Sequence, residues 1–146
     1  PMTDRTPPHN DPAEAALISA CLTSTKALAH AATIVTPDDL YSPANRRVYA
    51  ALLRLHAAGQ PIDPVTVADE VQTGDGKPGI DPANVIGYLA SLGVTAHSER
   101  YATIVARMAR LRRILHLCGE LEAAVAAFDD TAIDQALDGL AKERDA

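Results

Sequence analysis

SERYATIVARMARLRRILHLCGELEAAVAAF, residues 98–128, is the stretch of sequence that decides the fold. It contains no proline and a single glycine, Gly119, so it predicts one helix of about 30 residues with a bend allowed at that glycine. At about 1.5 Å per residue this helix would be about 45 Å long, whereas a small domain is about 30 Å wide. We therefore expect part of the helix to extend beyond the globular part of the chain.

Apolar residues recur along this helix at alternating steps of three and four. The first row is a narrow seam of the coiled-coil type: Tyr101, Ile104, Met108, Leu111, Leu115 and Cys118. A second row, offset by more than a quarter turn, begins beyond Leu111: Ile114, Leu117 and Leu121. The apolar arc therefore widens toward the C-terminal end of the helix.

Residues 129–131, Asp-Asp-Thr, are predicted to turn the chain into a last helix. That helix carries one apolar stripe: Ile133, Ala136, Leu137 and Leu140. One returning helix can cover a narrow seam, but the broad arc would leave apolar surface exposed in a monomer, so we expect a second chain to cover it. The alternative is that the last helix and the rest of the protein together bury both rows.

Upstream of residue 98, helix starts are marked by a capping residue followed directly by proline. These pairs are Asp11-Pro12, Thr36-Pro37, Ser42-Pro43, Asp63-Pro64 and Asp81-Pro82. The capping side chain accepts a hydrogen bond from the first turn, where the amide that proline lacks would have no partner. The predicted helical segments are 12–22, 25–34, 37–40, 43–58, 64–72 and 82–92, and the Gly- and Pro-rich run at 73–80 is predicted to be a loop.

Together these patterns predict an all-α protein, with a small bundle of about six helices at 11–97 and a C-terminal helical hairpin at 98–146. Residues 1–10 are predicted to be a disordered lead, in which Pro1 before Met2 is interpreted as the remnant of a cleaved tag. The composition agrees, because the 47% hydrophobic fraction includes only four Tyr, one Phe and no Trp.

Charge and cysteine content restrict the function further. The formal net charge of −6 has the wrong sign for a module that binds a broad stretch of nucleic-acid phosphates. Cys21 and Cys118 lie within apolar helical patterns, so both are expected to be reduced core residues of a cytoplasmic protein, without a disulfide. The sequence has no signal-peptide pattern and no run of about 18 apolar residues, which predicts an unexported protein with no membrane contact.

Five blocks, in this order, carry a family resemblance. They are PHNDPAEAAL at 8–17, DLYSPANRRVYAALLRL at 39–55, GQPIDPVTVADEV at 59–71, YLASL at 88–92, and TAHSERYATIV with LRRIL at 95–105 and 111–115. Together they resemble the N-terminal domain of DnaB-family replicative DNA helicases over about residues 8–140. The chain departs from the family pattern in its short loop at 73–80, in Gly93-Val94 where the family tends to have Val-Pro, and in its short terminal helix.

The resemblance implies a helical globule with a hairpin that pairs between chains, so that six domains form a collar of paired subunits above a motor ring. In the family this collar receives the primase, and in some members a helicase loader, during DNA replication. The motor is a RecA-like ATPase that uses ATP and Mg²⁺ and follows the hairpin; it is missing from this sequence. We therefore expect a cytoplasmic collar domain of a bacterial or phage replisome, dimeric or hexameric, with no catalysis or cofactor of its own.

Two groups of hairpin residues are predicted to contact other molecules. The oligomer and partner interface is assigned to Leu111, Ile114, Leu115, Leu117, Leu121, Val125, Ile133, Leu137 and Leu140. The candidate contacts to a nucleic-acid backbone or an acidic partner are Arg107, Arg110, Arg112 and Arg113. The alternative for these arginines is that they lie along a solvated flank over the seam and pair with Glu120, Glu122 or Glu143 of neighbours.

The sequence shows no pattern for a catalytic, cofactor or metal site. The fragment GDGK at 74–77 lacks the glycine spacing and the Ser or Thr of a phosphate loop, and proline follows its lysine. His116 and Cys118 would point about 200° apart on a helix, so they cannot share a metal ion. The acid pairs at 38–39 and 69–70 lie at helix ends or beside caps, where carboxylates favour helix N-termini or are solvated.

A second hypothesis is a stand-alone helical DNA-binding or regulatory protein of the helix-turn-helix type. In it, helix 43–58 would enter a DNA groove with Arg46, Arg47 and Arg54. The net charge and the apolar composition of that helix count against it. Arg46 and Arg47 lie one turn from Asp39 and are expected to form local ion pairs instead.

Overall fold

The computed structural model describes residues 6–146, so the predicted tag remnant and the rest of segment 1–5 lie outside the described residues. The described chain is helical without a strand, which confirms the all-α class. Its helices are α1 (Asp11–Thr23), α2 (Thr25–Ala31), α3 (Pro43–Ala57), α4 (Pro64–Gly74), α5 (Pro82–Ser91), α6 (Ser98–Ala126) and α7 (Asp130–Asp145), with a 3-10 turn at Pro37–Asp39.

Most of the predicted helix starts are confirmed. Ser42, Asp63 and Asp81 each accept a hydrogen bond from the backbone amide three residues further on, and so cap α3, α4 and α5. The prediction was wrong at α1, where the cap is Asn10 rather than Asp11. The Asn10 side chain accepts from the amide of Ala13 at 3.0 Å, so the helix begins one residue earlier and Asp11 is already helical.

Before residue 98, two helix ends differ from the prediction by more than one residue. The α2 helix stops three residues early, because the Thr33 and Ile34 amides donate to carbonyls only three residues back, which tightens the chain into a turn. The α4 helix runs to Gly74 instead of residue 72, and the Thr73 hydroxyl donates to the Asp69 carbonyl at 2.9 Å within it. The loop before α5 is therefore shorter than expected.

The chain divides into two compact units. We call Asn10–Ala106 the core unit, and residues 6–9 with Arg107–Ala146 the hairpin unit. The α6 helix belongs to the core unit up to Ala106 and to the hairpin unit from Arg107 onward.

The core unit encloses large apolar side chains around α3. This helix buries Val48, Tyr49, Ala51, Leu52 and Leu55, and the largest fully buried neighbours include Leu17, Ile18, Leu28, Leu40 and Ile86. The Tyr49 hydroxyl donates to the Val35 carbonyl at 2.9 Å, which satisfies the polar end of this buried aromatic side chain.

The part of α6 that lies in the core unit buries a different row from the predicted seam. Ala102 and Val105 are buried, whereas Tyr101 and Ile104 are half-buried and pack against the edge of the core. The buried row consists of small side chains, which allow a close approach, and the larger seam residues flank it.

The two cysteines lie in different surroundings. Cys21 in α1 is buried, and this burial raises the pKa of its thiol to about 12. Cys118 in α6 is only half-buried, so its assignment to the core was wrong, while that of Cys21 is confirmed. Both thiols are free. Within residues 6–146, no helix combines the length and apolar character needed to cross a membrane.

Candidate interface on the helical hairpin

In the hairpin unit, α6 and α7 run antiparallel and contact each other at several points. Near the start of this stretch of α6, Arg113 Nε donates to Glu143 Oε1 at 2.7 Å. One turn further on, Leu117 lies so close to Gly139 that a Cβ on this glycine would come within 2.8 Å of the leucine Cδ2. Residues later in α6 thus meet residues earlier in α7, and a larger residue at position 139 would have to displace the end of the Leu117 side chain.

A turn of three residues, 127–129, joins the two helices. Phe128 has a φ of 55°, and its amide donates to the Val125 carbonyl at 3.2 Å, while the next amide donates to the Ala124 carbonyl at 3.0 Å. This is the Schellman pattern, in which a left-handed residue closes a helix. Asp129 then caps α7 by accepting from the Ala132 amide at 3.1 Å, so the predicted turn at 129–131 was placed two residues too late.

The hairpin unit has only small residues in its interior. Among its described residues, the buried side chains are those of Ala109, Ala124 and Ala136. Two of the nine predicted interface residues are exposed, Val125 at 55% and Leu137 at 48%. The other seven are half-buried: Leu111, Ile114, Leu115, Leu117, Leu121, Ile133 and Leu140. The chain therefore does not fully enclose any of the nine.

The predicted stripe on α7 is divided between two environments. Ala136 is buried, whereas its neighbour Leu137 lies among the exposed residues. At Gly139 the α7 backbone allows the Leu117 side chain of α6 to come close. The large apolar side chains of the hairpin, including Leu117, are only partly buried or exposed.

Three of the four clustered arginines bind groups within the hairpin unit. Arg110 Nε and Nη2 donate to the Glu143 backbone carbonyl at 3.1 and 3.0 Å, and Arg112 Nη1 donates to the Pro8 carbonyl at 2.8 Å. Arg113 pairs with the Glu143 carboxylate and holds the pKa of that carboxyl below its ordinary value. Pairing with the Glu143 carboxylate within the chain is thus observed for Arg113, whereas Arg110 binds the backbone carbonyl of the same residue. Arg107 is exposed and has no polar partner among the described residues.

Two of the three arginines of α3, Arg47 and Arg54, bind carboxylates inside the core unit. Arg47 Nε and Nη2 donate to the two carboxylate oxygens of Asp75 at 2.8 and 3.0 Å, and Arg54 Nε donates to Glu70 Oε1 at 2.8 Å. The expected local pair of Arg47 with Asp39 was wrong, because the partner lies 28 residues away in sequence. Because the guanidinium groups of Arg47 and Arg54 are held by carboxylates of the core unit, these two side chains are not available to bind DNA.

The loop after α4 cannot act as a phosphate cradle in this arrangement. Its Lys77 and Pro78 backbone carbonyls accept hydrogen bonds from the Arg47 guanidinium, so the loop surrounds a cation with oxygen atoms. The same guanidinium holds the pKa of the Asp75 carboxyl below its usual range. Across the described part of the chain, no group of three or more side chains is arranged to hold a metal ion.

Sequence reasoning missed one buried charged residue, Glu14 in α1. Its carboxylate is 1% exposed and accepts from the Tyr41 amide at 2.7 Å, the Ser42 amide at 3.3 Å and Asn45 Nδ2 at 3.1 Å. It thereby ties α1 to the first turn of α3, where backbone amides lack helical partners. The signal was available, because Glu14 lies one turn before Ile18 on the buried side of an otherwise apolar helix.

Comparison with known proteins gives consistent matches. A family model described as the DnaB-like helicase N-terminal domain matches residues 6–107. The replicative DNA helicase DnaC of Bacillus subtilis is 35% identical over 118 residues, which are 78% of this chain and 25% of that protein. The replicative DNA helicase DnaB of Leifsonia xyli is 37% identical over 113 residues, 77% of this chain and 25% of that protein.

A solved structure matches over nearly the whole chain. It is the crystal structure of the N-terminal domain of DnaB helicase from Mycobacterium tuberculosis, with a TM-score of 0.87 and 30% sequence identity. The match covers 94% of this chain and 99% of that one, and so includes the hairpin as well as the core unit. The chain spans about a quarter of the length of the curated relatives named above.

Proposed function

This chain belongs to the family of the DnaB-like helicase N-terminal domain, and from that membership we propose that it is the collar module of a replicative DNA helicase. In this role it assembles copies of itself and docks other replication proteins in the cytoplasm, without catalysis of its own. The match covers about a quarter of the length of the Bacillus subtilis helicase, and we assign ATP hydrolysis and its Mg²⁺ to a separate motor domain.

The observation that carries this proposal is the incomplete burial of the hairpin. None of the nine apolar residues assigned to the interface is buried, and the buried side chains of the described hairpin unit are all alanines. Contiguous apolar surface on a soluble domain usually marks a contact with another chain. A second copy brings the same surface, and two such hairpins can cover each other in a symmetric dimer.

Docking of primase, or of a helicase loader, is proposed for the apolar hairpin surface that pairing leaves open. The likeness to replicative helicases and the exposure of Val125 near the end of α6 support this assignment. Direct DNA binding is expected to be weak, because the net charge is −6 and Arg110, Arg112 and Arg113 are already engaged within the chain.

The test is the oligomeric state of Leu137→Glu, measured by size-exclusion chromatography with light scattering over a range of concentrations. Leu137 is a better target than Leu117 or Leu121, because Leu117 packs on Gly139 and its loss would also disturb the hairpin. We expect the wild type to assemble and Leu137→Glu to be a helical monomer, since a charge in a closed apolar contact opposes association.

The matched control is Val65→Glu, which places the same charge on an apolar side chain of α4 that is 79% exposed in the core unit. This variant should assemble like the wild type. Unchanged assembly of Leu137→Glu, with circular dichroism showing intact helices, would exclude this surface as the interface.

A further inference from the structure

The hairpin turn exposes the aromatic side chain of Phe128 to solvent, in a backbone conformation that is unfavourable for bulky residues. Phe128 is 91% exposed and has a φ of 55°, the left-handed region in which glycine is the usual residue. A bulky side chain is an outlier at such a φ, and here it contacts almost nothing within its own chain. The conformation and the exposure together indicate that this side chain serves a contact outside the chain.

The charge around this turn has one sign. Residues 114–141 contain no lysine or arginine. Their acidic side chains are all exposed: Glu120, Glu122, Asp129, Asp130, Asp134 and Asp138. Of these, Glu120 pairs with His116 Nε2 at 3.0 Å, and Asp129 caps α7. The arginines and the lysine of the hairpin unit lie at its opposite, open end, between 107 and 113 and between 142 and 144.

From this juxtaposition we propose that the hairpin tip, residues 122–134, docks a basic amphipathic helical segment of another protein. Phe128 and Val125 provide the apolar anchor, and the surrounding carboxylates pair with lysines or arginines that flank the apolar face of the segment. The inference rests on the proposed docking role of the hairpin, and it adds the chemistry of the partner.

A second copy of this chain fits the tip less well. Its own tip is equally acidic, so two tips would repel each other. Its open end offers few free cations, because Arg110 and Arg113 are bound to Glu143. A nucleic-acid backbone is excluded as the occupant by its negative charge.

The test uses the whole chain and a fluorescein-labelled synthetic helix of leucine and arginine, with binding followed by fluorescence polarisation. We expect Phe128→Gly to weaken binding at least about tenfold, which is the loss typical of an interface anchor. Glycine suits this backbone conformation, so the variant should keep its fold. Glu122→Gln combined with Asp134→Asn should weaken binding less, and added salt should reduce the difference.

The controls separate a specific site from general attraction. Val65→Ser removes an exposed apolar side chain elsewhere and should leave the affinity unchanged. The inference is overturned if Phe128→Gly binds as well as the wild type, or if a peptide with serine in place of leucine binds equally tightly. It is also overturned if Phe128→Gly turns an assembled wild type into a monomer, because the tip then contacts a second copy.

The assembly test on Leu137→Glu is separate from this result. Loss of peptide binding in Phe128→Gly with normal self-association supports the tip as a docking surface. Normal peptide binding in a Leu137→Glu monomer shows that docking does not require assembly and leaves the inference standing.

Discussion

The two units of the molecule are built from different interiors. The core unit buries leucine, isoleucine, valine and tyrosine around α3, whereas the described hairpin unit buries only alanine. The match to the family model ends at residue 107, next to the boundary between the two units within α6. The difference shows that the core unit buries its own large apolar side chains, while the hairpin leaves its large apolar residues only partly buried or exposed.

Free energies of transfer make this difference quantitative. A fully buried Leu, Ile or Val side chain contributes about 1.5–3 kcal/mol to folding, and an alanine methyl contributes only a fraction of this. The hairpin is therefore expected to open locally at a lower cost than the core unit.

The largest effect is expected for Leu52→Ala in α3. Leu52 is fully buried, so its truncation leaves a cavity and should lower the free energy of unfolding by about 3 kcal/mol. Leu137→Ala, the same change at an exposed hairpin position, should cost less than about 0.5 kcal/mol in a dilute monomer. Urea denaturation followed by circular dichroism measures both. Equal losses would contradict the comparison between the units.

An intermediate effect is expected at Glu14, the buried carboxylate of the core unit. Glu14→Gln keeps an oxygen acceptor but replaces the charge with an amide beside backbone donors, which should lower the free energy of unfolding by about 2 kcal/mol. Glu122→Gln, at an exposed hairpin position, is the matched control and should change it by less than about 0.5 kcal/mol. If the two variants unfold at the same urea concentration, the buried carboxylate contributes no stability.

The smallest effect is expected at the Arg113–Glu143 pair of the hairpin. Arg113 lowers the pKa of the Glu143 carboxyl below its ordinary value of 4.5, so the pair stabilises the folded state above that pH. The contribution is lost as pH falls through the lower pKa of the folded state. Because Arg113 is half exposed, it should not exceed about 0.5 kcal/mol.

This pair can be checked by NMR titration of the Glu143 side chain. Arg113→Gln should return its pKa toward the ordinary value and remove the corresponding pH dependence of stability. Arg107→Gln, which changes an arginine without a described partner, should leave both unchanged. A titration of Glu143 that is the same with and without Arg113 would show that the contact is absent in solution.

Local signals in the sequence were sufficient for most of the fold. Capping residues before prolines located α3, α4 and α5, because a cap and its target amide are only three residues apart. The same logic failed by one residue at α1, where Asn10 and Asp11 are both good caps and only the geometry decides between them. The end of α2 was misplaced because no proline or glycine marks it.

The candidate site was less accessible to sequence reasoning. Periodicity predicted that the hairpin carries more apolar residues than one partner helix covers, but it did not reveal the close contact of Leu117 with Gly139 or the burial of alanines alone in the described hairpin unit. Nor did it reveal the pairing of Arg47 with Asp75, because nothing local links residues 28 positions apart. The exposed Phe128 was not singled out either, since its left-handed backbone depends on how the helix ends.

Each unit also contains one natural thiol in a distinct environment. The buried Cys21 is protonated at neutral pH and shielded, so an alkylating reagent can modify it only when the core unit opens. Cys118 is half-buried on α6. The rate at which the reagent modifies it should therefore fall when another chain covers the hairpin. Mass spectrometry of the two labelled peptides would therefore follow opening of the core and protection of the hairpin separately in the unmodified protein.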